Sequence, residues 1–506
     1  MIRRMETGRT RFAAAVTCGF VVACGLGMLR HEMWRDELQA WLLAAQSRSL
    51  PELFHNLRYE GHPALWHLLL FAVSRVTGAL WAVQVLHLAI AAAAVFLFAR
   101  NAPFSRRVRA LFAFGYFPLF EYGVISRSYS LGLLLVLSFA SLAPRRMDPK
   151  GRSRGYLPLG IILALLANAN AYGWLLAAAL AGGLAVEALT RTEVRQAVSA
   201  RMGEALVSLG IWAVAAALGV FQMLPPEDGG FAARSSWSWA WDPQKLLLTL
   251  SSVAQAYFPL PNVGAPAVWN SLLLWRLPIQ ASVLLGVAAV AGLAWSLRRS
   301  RLALAAYLGG TLALLAFSYI FYFGWLRHHG HHFVLAIGCL WLARADQEGG
   351  AAAAAGPRRD LLPVLWLTAQ MIAGVTLWGL DLVLPFSNAR AVARLLQDVP
   401  LPVAVTPSYL GTPVSGYLGR PFLRLDTLQP VTFVLWNADW TRSFDPQALC
   451  GQLGKLARSD PRGAVWVTAF RPPPCAVRMR LVASFGQSLE AEERYLVFQV
   501  APPAGP

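Results

Sequence analysis

The strongest constraint on this chain is a succession of apolar runs, most of them near 20 residues long, that fills its first 380 positions. Hydrocarbon offers no partner to a backbone amide, so a segment crosses a bilayer as a helix that satisfies its own polar groups. The crossing takes about 20 mostly apolar residues. Candidate spans fall at about 12–29, 80–99, 110–122, 129–143, 156–170, 172–189, 204–223, 277–296, 302–324, 331–343 and 361–380. The first lies behind a basic start, Arg3, Arg4, Arg9 and Arg11, and no small-residue cleavage site follows it. It is therefore read as an uncleaved helix rather than a signal peptide. The chain is 57% hydrophobic and 14% charged, whereas soluble domains carry about 25% charged residues. The expectation is a polytopic α-helical membrane protein with about eleven transmembrane helices over residues 1–385.

A net charge of +18 would ordinarily suggest nucleic acid as a partner. Its placement argues against that. The links 1–11, 100–109, 144–155, 190–201, 297–301 and 344–360 hold 22 Lys and Arg against 6 Asp and Glu, and the rest of the chain holds 22 against 20. Lys and Arg accumulate in cytoplasmic loops, so these alternate links and the N-terminus are expected inside. The excess charge is topological, and no nucleic-acid partner is expected. Eleven spans from an inside start put the C-terminal segment outside. The stretch Gly349–Pro357 (GGAAAAAGP) reads as a flexible cytoplasmic loop.

After Pro385 the pattern changes. A Ser387/Asn388 cap precedes a helical stretch to about Gln397, and β-rich runs follow at Pro402–Thr406, Val431–Trp436, Gly463–Phe470 and Tyr495–Val500. Asp445-Pro446 supplies a cap and first-turn proline for a helix over Gln447–Arg458. Residues 386–506 are thus expected to form a small extracytoplasmic α/β domain. Cys450 and Cys475 are its only cysteines, and on the oxidising side of the membrane they are a disulfide candidate. Cys18, Cys24 and Cys339 fall within spans and read as packing residues.

The most informative polar segment, residues 31–76, follows the first span on its outer side. It carries Asp36-Glu37, a capping box Ser49-Leu50-Pro51-Glu52 and a Glu60-Gly61-His62-Pro63 break. Ala64–Val76 is apolar but short, and His67 and Arg75 lie inside it, so it is expected along the membrane surface. Neighbouring residues on a helix diverge by about 100°, so Asp36 and Glu37 cannot both face one reactant. One can enter a cavity while the other orients a neighbour or holds a cation. A plainer reading makes the pair a solvated end of the first helix. The second outer loop holds Glu121 and Arg127-Ser128-Tyr129, and the third holds Arg327-His328-His329-Gly330-His331-His332. Glu121 could simply pair with Arg127, and the histidines could be an interfacial girdle. Three loops remote in sequence nevertheless share one face of the membrane. A transporter or flippase of lipid-linked sugars is the alternative. It would be expected to carry midplane ionisable groups and repeated halves, and no internal repeat is evident.

Asp36-Glu37 after a first transmembrane helix, the stretch to Gly61-His62-Pro63 and the Arg127-Ser128-Tyr129 loop resemble integral-membrane glycosyltransferases of the GT-C fold. The resemblance covers about residues 10–345 and is nearest to the branch of protein O-mannosyltransferases and lipid A aminoarabinose transferases. It implies a polyprenyl-phosphate-linked sugar donor, a lipid, polysaccharide or protein acceptor, and reaction at the periplasmic or lumenal face. A bacterial inner membrane with the C-terminal domain in the periplasm is the expected location. The family's first-loop acid maps to Asp36 and its second-loop acid to Glu121, although that second acid is commonly Asp.

On this reading Asp36 takes the acceptor proton. Arg127, Arg327, His328 and His62 bind the donor phosphate. Glu37 and Glu121 orient the acceptor or hold a divalent cation, for which Asp36 and Glu37 are the candidate ligands. Glu60 and Tyr129 are further acceptor or orienting candidates. Displacement without a covalent intermediate implies inversion at the anomeric carbon.

Overall fold

The computed structural model describes residues 2–147, 155–230, 237–348, 360–440 and 446–502. The Gly349–Pro357 loop and the Asp445 cap expected above lie outside them. Among the described residues, seven helices are long and apolar enough to cross a membrane: Thr7–Arg30, Trp81–Asn101, Ala171–Thr190, Met202–Met223, Ile279–Leu297, Arg301–Ile320 and Leu361–Val383. Each coincides with an apolar run of the sequence. This is the architecture of a multi-pass membrane protein.

The other four expected spans take different forms. Residues 110–122 are split between the helix Arg106–Ala113 and a nine-residue π-helix, Tyr116–Val124, with Gly115 extended between them. Two shorter helices, Tyr129–Leu142 and Leu157–Ala167, cover 129–143 and 156–170. Asn168 ends the second by turning its amide onto Ala164 O at 2.9 Å and Ala215 O at 3.0 Å. Residues 331–343 belong to a 23-residue helix, Leu326–Glu348, whose first turns carry Arg327 and the four histidines.

One helix stands in the long link between the expected spans 204–223 and 277–296. Pro243–Tyr257 begins at Asp242, whose Oδ1 accepts from Gln244 N at 2.9 Å and Lys245 N at 3.1 Å. Its last nine residues include eight buried ones, among them Thr249, Ser251 and Ser252. Those hydroxyls disguise it in the sequence but return to the helix's own carbonyls, on Lys245, Leu248 and Thr249, so their burial leaves no donor stranded. The tip is pinned by Tyr257 and Tyr307, whose hydroxyls lie 2.8 Å apart, and by Trp366 Nε1 donating to Tyr257 O.

Three short helices, Arg35–Gln46, Leu50–Leu57 and Leu65–Ser74, follow the first long one. The third has ten residues, about 15 Å of rise, half a bilayer core.

Beyond Val383 a six-stranded sheet forms from β1 (Val403–Thr406), β2 (Phe422–Arg424), β3 (Pro430–Val431), β4 (Ala464–Thr468), β5 (Met479–Phe485) and β6 (Tyr495–Val500). Their order is β3-β2-β1-β4-β6-β5. β1 runs parallel to β2 and β4, with the helices Gly411–Leu418 and Pro446–Ala457 as crossovers; the other pairs are antiparallel. Alternation along β4 sends Val465 and Val467 to one core and Ala464 and Trp466 to the other, as the two-residue period of a strand requires. Cys450 and Cys475 are joined in a disulfide with their Cα atoms 5.6 Å apart.

Candidate functional site

The first long helix ends at Arg30, and the next begins four residues later with Trp34 extended at its N-cap. Glu37, at the third helical position, reaches back to Trp34 N at 3.2 Å. That hydrogen bond fixes the directions of two adjacent carboxylates. Asp36 is left turned outward and Glu37 inward.

Asp36 Oδ2 accepts from Arg127 Nη1 and from Arg327 Nη2, the latter at 3.3 Å, while Arg35 Nε lies 3.7 Å from Oδ1. Partial burial would raise its pKa, but Arg127, Arg327 and Arg35 outweigh that and hold the carboxyl below the usual range. The Asp36 side chain is 26% exposed, against 14% for Arg127 and 7% for Arg327, so an incoming group meets the carboxylate first. Aromatic faces back the guanidiniums. Arg327 Cζ lies 5.0 Å from the Trp34 ring centroid and 5.5 Å from that of Trp269; Arg127 Cζ lies 5.4 Å from that of Tyr129. Arg327 also sits in the first turn of its helix, the positive end of the helix dipole. Helix terminus and two guanidiniums together form a concentration of positive potential neutralised locally by Asp36.

Glu37 is buried. Its Oε1 accepts from Ser126 N at 2.6 Å, and its Oε2 from His31 Nε2 at 3.0 Å. His31 Nδ1 donates in turn to Asp381 Oδ2 at 2.8 Å. Both ring nitrogens face carboxylates, which calls for an imidazolium. Burial opposes that charge, but Asp381 and Glu37 outweigh it and push the His31 pKa up to about 10. Glu37 thereby ties the start of its helix to the loop that carries Arg127.

Glu121 lies in the π-helix, and its Oε2 accepts from Tyr116 Oη at 2.6 Å and Trp269 Nε1 at 3.0 Å. No direct Glu121–Arg127 pair forms; Trp269 links Glu121 to Arg327 instead. The expected histidine loop is helical and packed. His331 Nδ1 donates to His328 O at 2.8 Å, His329 Nε2 donates to Phe323 O at 2.9 Å, and Tyr172 stacks on His328 and His331 at 5.2 and 4.7 Å. Tyr129 meets His328 edge-on at 5.9 Å. Gly330 is required here, since a Cβ would fall 2.3 Å from Phe117 Cε1 and 2.4 Å from Tyr122 Oη.

Glu60 and His62 flank this cluster across a turn made by Gly61 at φ +64°. Gln39 Nε2 donates to Glu60 Oε1 at 2.7 Å. Burial, with Asp36 in the same direction, pushes the Glu60 carboxyl up to about 7. Burial and the nearby Arg127 push His62 down to about 4, and its Nδ1 is buried without a hydrogen-bond partner. His62 is therefore a neutral ring at neutral pH.

The structure thus brings Asp36, Arg127 and Arg327 into contact, sets Tyr129 and His328 beside them, and reaches Glu121 only through Trp269. Glu37 faces away. Among the described residues no three His, Cys, Asp or Glu side chains gather as metal ligands would, and Asp36 and Glu37 diverge rather than converge on a cation.

Five participants were not anticipated. Asp381 carried a readable signal, an ionisable group near the end of an apolar run; His31, Trp269 and the Glu492–Glu493 pair did not stand out. Glu492 pairs with Arg35, and Glu493 Oε1 accepts from Arg35 N at 2.8 Å. Gln39 also exchanges hydrogen bonds with Val434 at 2.6 and 3.0 Å, so the C-terminal sheet domain grips the helix that bears Asp36. The chain matches no protein-family model, no curated protein and no solved structure.

Proposed function

We propose that this chain is a GT-C-type membrane glycosyltransferase with eleven spans and a cytoplasmic N-terminus. On this reading it moves a sugar from a polyprenyl-phosphate donor to an acceptor hydroxyl on the periplasmic face of a bacterial inner membrane. The supporting observation is that three segments, some 90 and 200 residues apart in sequence, deliver Asp36, Arg127 and Arg327 to one ion cluster at the end of the bundle that lacks the basic excess.

The cluster suits the chemistry. A phosphate offers guanidiniums more acceptor oxygens than a carboxylate does, so an arriving donor competes with Asp36 for Arg127 and Arg327. The arginines that turn to the phosphate release Asp36, whose basicity rises as it loses them. Asp36 then takes the proton of the acceptor hydroxyl as its oxygen bonds the anomeric carbon from the face opposite the phosphate. The glycosyl C–O bond breaks, and its electron pair leaves on the phosphate, stabilised by the two guanidiniums. The result is inversion. Glu37 acts at one remove, holding Ser126 and with it the loop of Arg127, and Glu60 and Tyr129 border the acceptor side.

Asp36→Asn keeps the volume and should lower label transfer from a radiolabelled polyprenyl-phosphate sugar by about 10²–10⁴-fold, with the variant still inserted and folded. Turnover near wild type would remove Asp36 from this role. Movement of the intact lipid-linked sugar between leaflets, without covalent transfer, would replace the enzyme reading with a transporter.

A further inference from the structure

A cavity of about 1090 Å³ opens at the opposite end of the bundle. Arg327 and Arg344 mark the two ends on one helix, 17 residues or about 26 Å apart. Arginines converge on the cavity from four separate segments: Arg9 on the first helix, Arg109 on Arg106–Ala113, Arg298 and Arg299 after Ile279–Leu297, and Arg344. Asp360 is the single carboxylate among its described lining residues, and it is already bonded to Arg344 Nη1 at 2.5 Å and Ser105 N at 3.0 Å. Among the described lining residues five arginines stand against one aspartate, a formal +4, with Arg109 also donating to Ala99 O and Arg344 held by Asp360. The inner wall is apolar, with Phe258, Leu293, Leu340 and Trp366. Gly292 lines the same wall, and a Cβ on it would meet no atom within 4 Å.

A positive-inside bias places arginines along a face, but it does not require them to surround one void with a greasy floor. This layout has a head end and a tail end. We propose that the cavity binds an anionic membrane lipid, its phosphate among Arg9, Arg109, Arg298, Arg299 and Arg344 and an acyl chain along Phe258, Leu293 and Trp366. Basic pockets between membrane helices recognise lipid headgroups by this chemistry. A soluble phosphate would leave the apolar wall unfilled, and a zwitterionic lipid would set its own cation against a +4 wall. The proposal does not rest on the glycosyl-transfer reading.

The test uses the full chain in detergent micelles doped with phosphatidylglycerol or with phosphatidylcholine of the same acyl chains, counting retained lipid by native mass spectrometry. Phosphatidylglycerol should be retained at concentrations where phosphatidylcholine is lost, and glycerol phosphate should not displace it. The double variant Arg298→Gln, Arg299→Gln should weaken retention about 30-fold, near fivefold per arginine. Gly292→Trp, which fills the floor, should abolish retention of the lipid. Equal retention of the two lipids overturns the proposal, as does wild-type retention by the double variant. Displacement by glycerol phosphate alone would overturn the lipid in favour of a soluble phosphate. Should Gly292→Trp misfold, the arginine pair decides by itself.

Discussion

The two ends of this helical bundle handle charge in opposite ways. At the Asp36 end, cations and anions are matched: Asp36 with Arg127 and Arg327, His31 with Glu37 and Asp381, Arg35 with Glu492. Several of these groups are buried, so each depends on its partners for solvation lost to the protein. At the other end, five arginines line a cavity with one aspartate among its described lining residues. The first arrangement is internally complete and changes only when a competitor displaces a member. The second holds more cations than carboxylates among its described lining residues. A matched cluster is therefore expected to govern stability and chemistry, and a cation-rich one to govern affinity.

The largest effect is expected at Glu37. Removing one member of a buried charge network leaves its partner uncompensated, at about 3–5 kcal/mol. Glu37→Ala strands His31 and frees Ser126 N together, so unfolding in detergent should shift by that amount, and transfer should fall with it as the Arg127 loop loosens. A variant as stable as wild type would mean that the His31–Asp381 contact carries the site without Glu37, and the matched-cluster view would fail at its centre.

What was legible in the sequence follows the same division. Charge bias along the links was enough to sort the loops, and sorting alone put Asp36, Arg127 and Arg327 on one face before any contact was known. Partners that close the cluster from within elements were harder to see. Trp269 stands among small and apolar residues with no charged neighbour to single it out. Glu492 and Glu493 reach Arg35 only because a sheet more than 400 residues later folds back onto it. The helix Pro243–Tyr257 was hidden by hydroxyls that bond their own backbone. In the sheet, β1, β4 and β6 lie on the apolar runs, whereas β2 has three residues and β5, at the sheet edge, alternates without an apolar run long enough to stand out.

A second test sharpens the cost of matching charges in a buried site. Glu60 carries a carboxyl raised by burial from 4.5 to about 7, so the folded state holds that proton more tightly than the unfolded chain does. Its contribution is full below about pH 4.5, falls as pH rises, and is lost above about 7. The linked slope is at most about 1.4 kcal/mol per pH unit. Glu493, raised to about 8 chiefly by burial, contributes with the same sign over a wider window. Melting curves from pH 5 to 8 should therefore decline, and Glu60→Gln should remove the part of the decline that ends near pH 7. An unchanged slope in that variant would show that Glu60 is ionised throughout and sits in a wetter site than its contacts with Gln39 imply.

The smallest effect is expected at the cation-rich end. Arg298 and Arg299 are exposed, and Arg298 lies over the Trp295 ring at 3.9 Å while donating to Trp295 O at 2.5 Å. Water already solvates both guanidiniums, so their removal strands no buried charge. Exposed substitutions of this kind fall within about 0.5 kcal/mol. The stacked Arg298 can add a cation–π contribution of about 0.5–1 kcal/mol. In lipid-free detergent, Arg299→Gln should melt with wild type and Arg298→Gln only slightly below it, with label transfer unaltered in both. A loss on the scale of Glu37→Ala would mean that these arginines are matched within the fold after all, and the cavity would then be a gap between structural pairs rather than an unfilled site.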